Sequence, residues 1–386
     1  MSRLVKVGVI GTGFIGPAHI EAARRTFLAE VIALADINEE VARCKAGQYA
    51  VPRCYGDYRE LLRDEEVEIV HICTPNYLHY QMSRDALLAG KHVICEKPLA
   101  MNRKEAEELL ELAEKKNLLH AVHFNIRYYP LAREAKEMVR DGRVGTVFAV
   151  HGSYLQDWLF YDTDYNWRLE PELSGESRAI ADIGSHWLDL MEYITGQRVR
   201  EVFADFATFH TTRKKPLKPV ETYAGKILQP EDYQSIPIHT EDYASVLLHF
   251  ANGAHGVLTV NQVAAGRKNR LYYEIDGSRC ALSWDSERPN ELWIGRRDKA
   301  NEILMKDPSL LSASTRNIVS FPGGHNEGFP DTSKQFFREV YRLLLDGQNK
   351  SSGERNFPTF ADGLREVTLC EAILESARTG KWIAVR

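Results

Sequence analysis

What this 386-residue chain lacks narrows the field before any motif is considered. No apolar run is long enough to span a bilayer, and no internal repeat or low-complexity tract stands out. Cysteine is scarce: Cys44, Cys54, Cys73, Cys95, Cys280 and Cys370 are all there are, none in CxxC spacing. That excludes a disulfide scaffold and a cysteine-based zinc module. Cys73 and Cys95 lie in apolar runs, where the thiol acts as a small hydrophobe, and all six are read as reduced and structural, as in the cytoplasm. A large charge excess is also missing. Lys and Arg number 49 against 54 Asp and Glu, a net charge of -5, which gives neither nucleic acid nor an anionic membrane a reason to bind. The basic cluster TTRKKPLKP (211–219) is short and is read as a solvated loop. The N-terminal MSRLVKVGVIGTG enters a strand pattern at once, without a cleavable signal. With 44% hydrophobic and 27% charged residues, the composition supplies a core for two or three domains.

The first 125 residues alternate short β-rich runs with amphipathic helices. The runs are VKVGVI (5–10), VIALAD (31–36), VEIVHIC (67–73), HVICE (92–96) and LLHAVHF (118–124), and helical patterns cover 17–26, 38–47, 78–89 and 103–116. Nearly continuous apolar strands separated by helices predict a parallel sheet covered on both faces, the doubly wound α/β arrangement. Beyond residue 126 the rhythm changes. A helix over 131–140 stops at Asp141-Gly142, and longer strands follow at 144–154, 199–210, 240–250, 254–263, 268–276 and 279–284. Asn252-Gly253 and Gly277-Ser278 read as hairpin turns, so residues 126–386 are expected to form an α+β domain on an open, mostly antiparallel sheet. Helices over 331–346 and 360–379 close the chain, with Gly380 as C-cap. The stretch 211–238 is long and unpatterned, which marks a functional or mobile loop.

Strand 5–10 runs into Gly11-Thr12-Gly13-Phe14-Ile15-Gly16 and then a helix. In that context GxGxxG has a mechanism: Gly11 permits the tight turn, Gly13 lets the backbone approach a diphosphate, and Gly16 lets helix and strand pack closely. The diphosphate would lie on free N–H groups at the positive end of the helix. Asp36, twenty residues after Gly16, closes the second strand. A carboxylate there accepts both ribose hydroxyls and repels a 2′-phosphate, so the cofactor is NAD, with NADP the alternative. Two more loops follow strand ends, where open α/β sheets bind ligands: Thr74-Pro75-Asn76 with His79, and Glu96-Lys97-Pro98. Asn76 doubles as a helix N-cap. A Lys and a Glu closing a buried strand point to a paired or functional role, and Thr74, Asn76, His79, Glu96 and Lys97 are taken as cofactor contacts, with Arg168 a further one.

The second domain carries Asp182-Ile183-Gly184-Ser185-His186 ahead of an apolar-sided helix, with Ser185 expected as N-cap. Four residues apart, Asp182 and His186 meet if the segment turns helically. Oxidising an alcohol needs a base for the hydroxyl proton while hydride leaves carbon, and His is the natural one at neutral pH. Asp182 would orient the ring or hold a second hydroxyl, and Lys97 would polarise the reacting one. No Cys/His set has zinc-ligand spacing, so no metal is expected. Aromatic and polar residues crowd 154–172, and Tyr154, Trp158, Tyr161, Tyr165 and Trp167 could wall one face of a pyranose ring.

GTGFIG, ALAD ending at Asp36, CTPNYLH (73–79), CEKPLA (95–100), HFNIRY (123–128) and DIGSHWLDL (182–190) occur in this order over nearly the whole chain. Together they resemble the Gfo/Idh/MocA oxidoreductases. The resemblance implies a Rossmann domain (1–125) followed by a substrate-binding and oligomerisation domain (126–386) whose sheet face makes a homo-oligomer, dimer or tetramer. It also implies Lys97, Asp182 and His186 as the catalytic group, often with a cis bond before Pro98. Lys97, Asn125, Arg127, Tyr154, Trp167, Asp182 and His186 are the substrate candidates, and the substrate is a sugar, glycoside or cyclitol. One departure is Leu173-Ser174-Gly175-Glu176-Ser177-Arg178, where many relatives have SGGG. This segment looks like the sugar 3-dehydrogenase branch, which includes levoglucosan-type enzymes. Two alternatives remain at this stage: an NAD-dependent glycosidase working by transient oxidation and elimination, and a non-catalytic dinucleotide sensor.

Overall fold

The computed structural model of the protein describes residues 3–217, 229–347 and 355–386. Its chain forms two compact units, Met1–Tyr128 with Gly328–Val367, and Tyr129–Glu327 with Thr368–Arg386. The sequence division at 125/126 left Gly328–Val367 in the second domain. These residues instead belong to the first unit, because the helix Phe329–Leu345 buries Phe336, Phe337, Val340 and Tyr341 there, packed on the helix Ile15–Arg25.

Among the described residues the first unit holds six strands: β1 (Val5–Ile10), β2 (Ala29–Ala35), β3 (Arg53–Tyr55), β4 (Ile69–Ile72), β5 (His92–Cys95) and β6 (His120–Val122). They lie in the order β3-β2-β1-β4-β5-β6, every pair parallel. This is the dinucleotide-binding order, and the chain reverses direction across the sheet between β1 and β4. The apolar runs that predicted buried strands are buried on both faces; β4, for instance, is enclosed throughout. Helices Ile15–Arg25, Glu39–Tyr49, Asn76–Leu88 and Arg103–Lys115 appear where the periodicity put them. Strand β3 and the helix Tyr58–Arg63 were missed, being three and six residues long and too short to show a period. Asn76 turns out to be the first residue of its helix, with Pro75 as the capping residue.

The main sheet of the second unit has nine strands among the described residues: β7 (Val147–Leu155), β8 (Val199–Ala207), β11 (Tyr243–Phe250), β12 (His255–Asn261), β13 (Arg270–Gly277), β14 (Ala281–Asp285), β15 (Glu291–Gly295), β16 (Glu302–Met305) and β17 (Ile383–Ala384). Their order is β16-β15-β14-β13-β7-β12-β11-β8-β17, antiparallel except for the parallel pair β12–β7. Asn252-Gly253 does close a hairpin, with His249 opposite His255 and Gly253 at φ 88, and β13 and β14 turn through Gly277-Ser278. Alternate side chains such as Val246, Leu248, Leu258, Val260, Leu271, Tyr273 and Trp284 face inward. The helices Pro130–Arg140 and Ser185–Thr195 pack together, the first also against β14 and the second against β7. Leu247 and Val257, paired in register, are exposed on the other face. The loop expected over 211–238 contains structure: β9 (Thr212–Pro216) pairs antiparallel with β10 (Tyr233–Pro237), while 218–228 lie outside the described residues. Lys and Pro in these two strands hid their pairing from composition alone. No helix among the described residues is long and apolar enough to cross a membrane.

Candidate active site

In the first unit the glycine loop leaves β1 at the point where the sheet order reverses. Gly11 has φ +90, and a Cβ there would meet the Cys73 carbonyl oxygen at 2.8 Å and Thr74 at 2.9 Å, so only glycine lets the β1 and β4 ends approach. A Cβ on Gly16 would sit 2.2 Å from the Gly11 carbonyl oxygen, so helix and strand touch there too. Gly13 differs, since a Cβ would meet nothing within 4 Å. No neighbour in the chain demands glycine at this position, and the space it keeps open suits a diphosphate. Beside the loop, Thr74 Oγ1 is buried with no hydrogen-bond partner among the described residues. The following helix has no acid in its first turn, which leaves its positive end for an anion. These features fit a dinucleotide. Phe14 is largely exposed at the loop tip, next to Ile15. Thr12 is buried: its N–H donates to Asp36 Oδ2 at 2.8 Å, and its hydroxyl donates to the same oxygen. Asp36 Oδ1 accepts from the Ile37 N–H at 2.7 Å. The carboxylate at the end of β2 is thereby fixed against the glycine loop.

The Glu96-Lys97-Pro98 loop is braced from two sides. Glu96 is buried and accepts from the Lys97 N–H at 3.2 Å through Oε2. Its Oε1 meets His19 Nε2 at 2.9 Å and His123 Nδ1 at 2.5 Å. Burial pushes this carboxyl up, and His123 and His19 outweigh that and hold it well below the usual carboxylate range. Glu96, expected at the cofactor, is met by these histidines because a charge at this depth must be surrounded by donors. His79, also expected at the cofactor, is engaged in a similar way. Both its ring nitrogens are engaged by main-chain carbonyls, Pro98 O at 2.7 Å and Thr74 O at 2.8 Å, so it ties two ligand-side loops together. The Lys97-Pro98 bond is cis, as the resemblance implied.

Asn125 and Arg127 were expected to bind substrate, but both are buried and turned to helices of their own unit. Asn125 Nδ2 donates to Thr332 Oγ1 at 2.7 Å, and Arg127 Nη2 pairs with Asp362 at 2.8 Å. Burial raises the Asp362 carboxyl, and Arg127 and Thr359 more than offset it, leaving the group below its ordinary range. The return of Gly328–Val367 to the first unit, invisible in local sequence, accounts for both residues.

In the second unit Asp182 lies in a π-helical turn, Ile180–Gly184, that runs straight into the helix Ser185–Thr195. Such turns recur at functional sites. Ser185 is therefore inside the helix rather than at its cap, and its hydroxyl donates to the Ala181 carbonyl at 2.8 Å. The capping is done by Glu241, whose Oε1 accepts from Ser177 Oγ and from the N–H groups of Arg178 and Ile180 at 2.9 to 3.0 Å. Asp182 is held by Arg168 Nε at 3.1 Å on one oxygen and by Gln262 Nε2 at 2.9 Å on the other. Arg168, expected at the cofactor, here binds Asp182, and its guanidinium lies 4.4 Å from the Trp167 ring centre. Tyr154 is buried, its ring centre 6.3 Å from that of His186, and its hydroxyl donates to Asn269. Trp158 and Tyr165 pack on the cluster of Leu159, Leu169 and Ile238, so the proposed aromatic wall is partly core. Behind Gln262 stands a dry ion group: Arg178 and Arg213 both contact Asp242 Oδ1, at 2.5 and 2.9 Å, and Arg178 also donates to Gln262. Sequence reading missed Gln262, Arg178, Arg213, Glu241 and Asp242. The adjacent acids at the start of β11 were the signal, since charge entering an apolar strand has to be paired.

Among the described residues, two groups place ligand-type atoms within 4.8 Å of one another: His19, Glu96 and His123, and the more open His151, Glu274 and Asp276. In the first, both imidazoles aim at one carboxylate oxygen, an arrangement complete as hydrogen bonds.

Residues 5–124 match the oxidoreductase family, NAD-binding Rossmann fold, of the GFO/IDH/MocA proteins, and residues 132–283 match the GFO/IDH/MocA C-terminal domain. Levoglucosan dehydrogenase of Pseudarthrobacter phenanthrenivorans is 30% identical over 99% of this chain and 98% of its own. A solved levoglucosan dehydrogenase in complex with NADH and levoglucosan superposes with a TM-score of 0.88 at 28% identity, covering both chains fully. An inositol dehydrogenase homolog complexed with NAD+ from Azotobacter vinelandii gives 0.86 at 26% identity, over 100% of this chain and 98% of that one. The chain belongs to the Gfo/Idh/MocA oxidoreductase family, with that family's NAD-binding domain followed by its C-terminal domain.

The glycine geometry separates two variants. Gly16→Ala forces a methyl onto main chain and is expected to lower the melting temperature of the protein without cofactor. Gly13→Ala is expected to leave that stability within about 0.5 kcal/mol while weakening NADH binding; calorimetry with and without NADH reads both. Burial lowers His19 to about 4 and His120 to about 4. The unfolded chain binds these protons from about pH 6.5 downward and the folded one does not, so stability falls as the pH drops from 6.5 to 4. Each ring contributes a loss of up to about 3 kcal/mol, readable by urea titration across that range, and a flat profile would contradict the burial.

Proposed function

We propose that this protein is an NAD-dependent dehydrogenase that oxidises a secondary hydroxyl of a cyclic sugar, glycoside or cyclitol. The observation that carries the reading is the coexistence of a dinucleotide loop in the first unit with Asp182 and His186 one helical turn apart in the second, the carboxylate fixed by Arg168 and Gln262. The bound nicotinamide supplies the hydride acceptor. The chain handles the proton: His186 takes it from the hydroxyl, Asp182 holds the substrate or the imidazole in place, and Lys97 stabilises the charge developing on oxygen. Hydride and proton together leave the alcohol as a ketone, with one reduced nicotinamide per turnover. Trp167 offers a ring surface to a pyranose, with Tyr154 buried behind His186, and the full-length similarity to a levoglucosan dehydrogenase favours sugars over open-chain alcohols. Asp36, at the end of β2, favours NAD over NADP. We place the protein in the cytoplasm as a homo-oligomer, dimer or tetramer, formed through the sheet face that exposes Leu247 and Val257.

The test is the near-ultraviolet absorbance of reduced nicotinamide with NAD or NADP and a panel of anhydrosugars, free sugars, glycosides and inositols. Reduction with one substrate group supports the reading. Glycoside cleavage without net reduction replaces it with the oxidative glycosidase, and silence with every substrate leaves a dinucleotide sensor. Lys97→Ala and His186→Ala are each expected to lower kcat by about 10²- to 10⁴-fold with NADH still bound; near-normal turnover in both would sink the mechanism. Asp36→Ala is expected to weaken NAD by about tenfold or more and narrow its advantage over NADP, and an unchanged preference would remove Asp36 from the ribose.

A further inference from the structure

Six nearly solvent-free side chains in the first unit form one connected set: His19 on the helix Ile15–Arg25, His71 in β4, Glu96 after β5, His123 after β6, and Ser333 and Tyr341 on the helix Phe329–Leu345. Tyr341 Oη lies 2.9 Å from His71 Nε2, His71 Nδ1 lies 3.0 Å from His19 Nδ1, and His19 Nε2 lies 2.9 Å from Glu96 Oε1. On the other side His123 spans Glu96 Oε1 and Ser333 Oγ, the latter at 3.0 Å.

The direction of this chain is fixed by what each atom can do. An ionised carboxylate only accepts, so His19 Nε2 and His123 Nδ1 both carry hydrogen. Burial keeps His19 neutral down to about 4, which leaves its Nδ1 bare and able only to accept. His71, also kept neutral by burial, must then donate from Nδ1 and accept at Nε2 from Tyr341, whose hydroxyl burial holds protonated. Both branches thus end by donating to one oxygen, Oε1. The second oxygen, Oε2, accepts from the Lys97 N–H. The other ionisable groups nearby, Cys73 and Cys95, stay thiols through burial. His79 braces the same loop through Pro98 O. Packing alone does not call for such a set, because buried charge replaced by well-packed apolar groups is often neutral or stabilising.

We propose that this convergent wiring makes Glu96 the positioning residue for Lys97: fixed by His19 and His123, it holds the Lys97 main chain by its N–H and so sets where the ammonium stands. The catalytic part of the proposal rests on the reading of Lys97 given above. Glu96→Gln tests it. The amide oxygen can keep both imidazole donors, which turns the NH2 group onto the Lys97 N–H, donor against donor. In the variant, deuterium exchange at the Lys97 amide is expected to accelerate about tenfold or more, and kcat to fall about 10- to 100-fold with NADH affinity within about threefold. A purely structural role would lower the melting temperature without that split between kcat and binding.

Should Glu96→Gln fail to fold, His123→Leu gives the same two readouts, and His123→Gln, whose amide can still donate, is expected to recover most of the lost turnover. Nitrogen-15 histidine spectra of the wild type are expected to show His71 protonated at Nδ1 and His19 at Nε2; the opposite tautomers overturn the wiring. Unchanged Lys97 exchange, or unchanged kcat in a folded Glu96→Gln, overturns the positioning. A wild type that reduces no NAD with any substrate, yet shows the exchange effect, supports the wiring and fails the dehydrogenase reading instead.

Discussion

A carboxylate taken out of water must be ringed by donors, and each unit of this protein is arranged about one such anion. In the first unit it is Glu96, met by two imidazoles and one main-chain N–H. In the second it is Asp242, met by two guanidinium groups and by the N–H groups of Phe209 and His210. Both anions sit just behind residues of the candidate site rather than within it. Glu96 adjoins Lys97 in sequence, and Asp242 reaches Asp182 through Arg178 and Gln262. In each case removing a charged or imidazole donor would leave the anion under-compensated in a dry interior, which is strongly destabilising. The geometry of the site is therefore held by interactions that resist gradual adjustment.

The parts of the fold legible in the sequence were those with a period or a turn signature. β1, β2, β4 and β5 were continuous apolar runs, and Asn252-Gly253 specified a hairpin. Strands as short as β3 and β17, or as polar as β9 and β10, carry no period and are made by their neighbours. The site divides the same way. Gly11 and Gly16 meet the close approaches their spacing implied, because those are local steric facts, and Gly13 has open space around it. The partners of Asn125 and Arg127, Thr332 and Asp362, were illegible because they lie more than 200 positions away. Ser185 was misread for a subtler reason: a π turn starts the helix early, and Glu241 from another segment does the capping.

Histidine was the underused signal. An imidazole inside VEIVHIC, on a fully enclosed strand, needs a partner on both nitrogens, and His71 finds them in His19 and Tyr341. The same arithmetic, applied to every polar residue in an apolar run, would have pointed to a buried network from sequence alone, though not to its members. Family resemblance supplied the complementary information. It indicated which residues matter, and the hydrogen bonds of Glu96 and His79 show both bracing loops.

The interleaving of the two units along the chain has a bearing on how the protein is made. The dinucleotide-binding unit ends its first segment at Tyr128 and is completed only by Gly328–Val367. At ribosomal rates of about 5–20 residues per second, its sheet waits roughly 10–50 seconds for the helix that brings Ser333 and Tyr341. During that interval His71 and His123 lack their outer partners, and the apolar surface that Phe336 and Phe337 will cover stays open. The core of the first unit therefore cannot close until translation has passed its last segment.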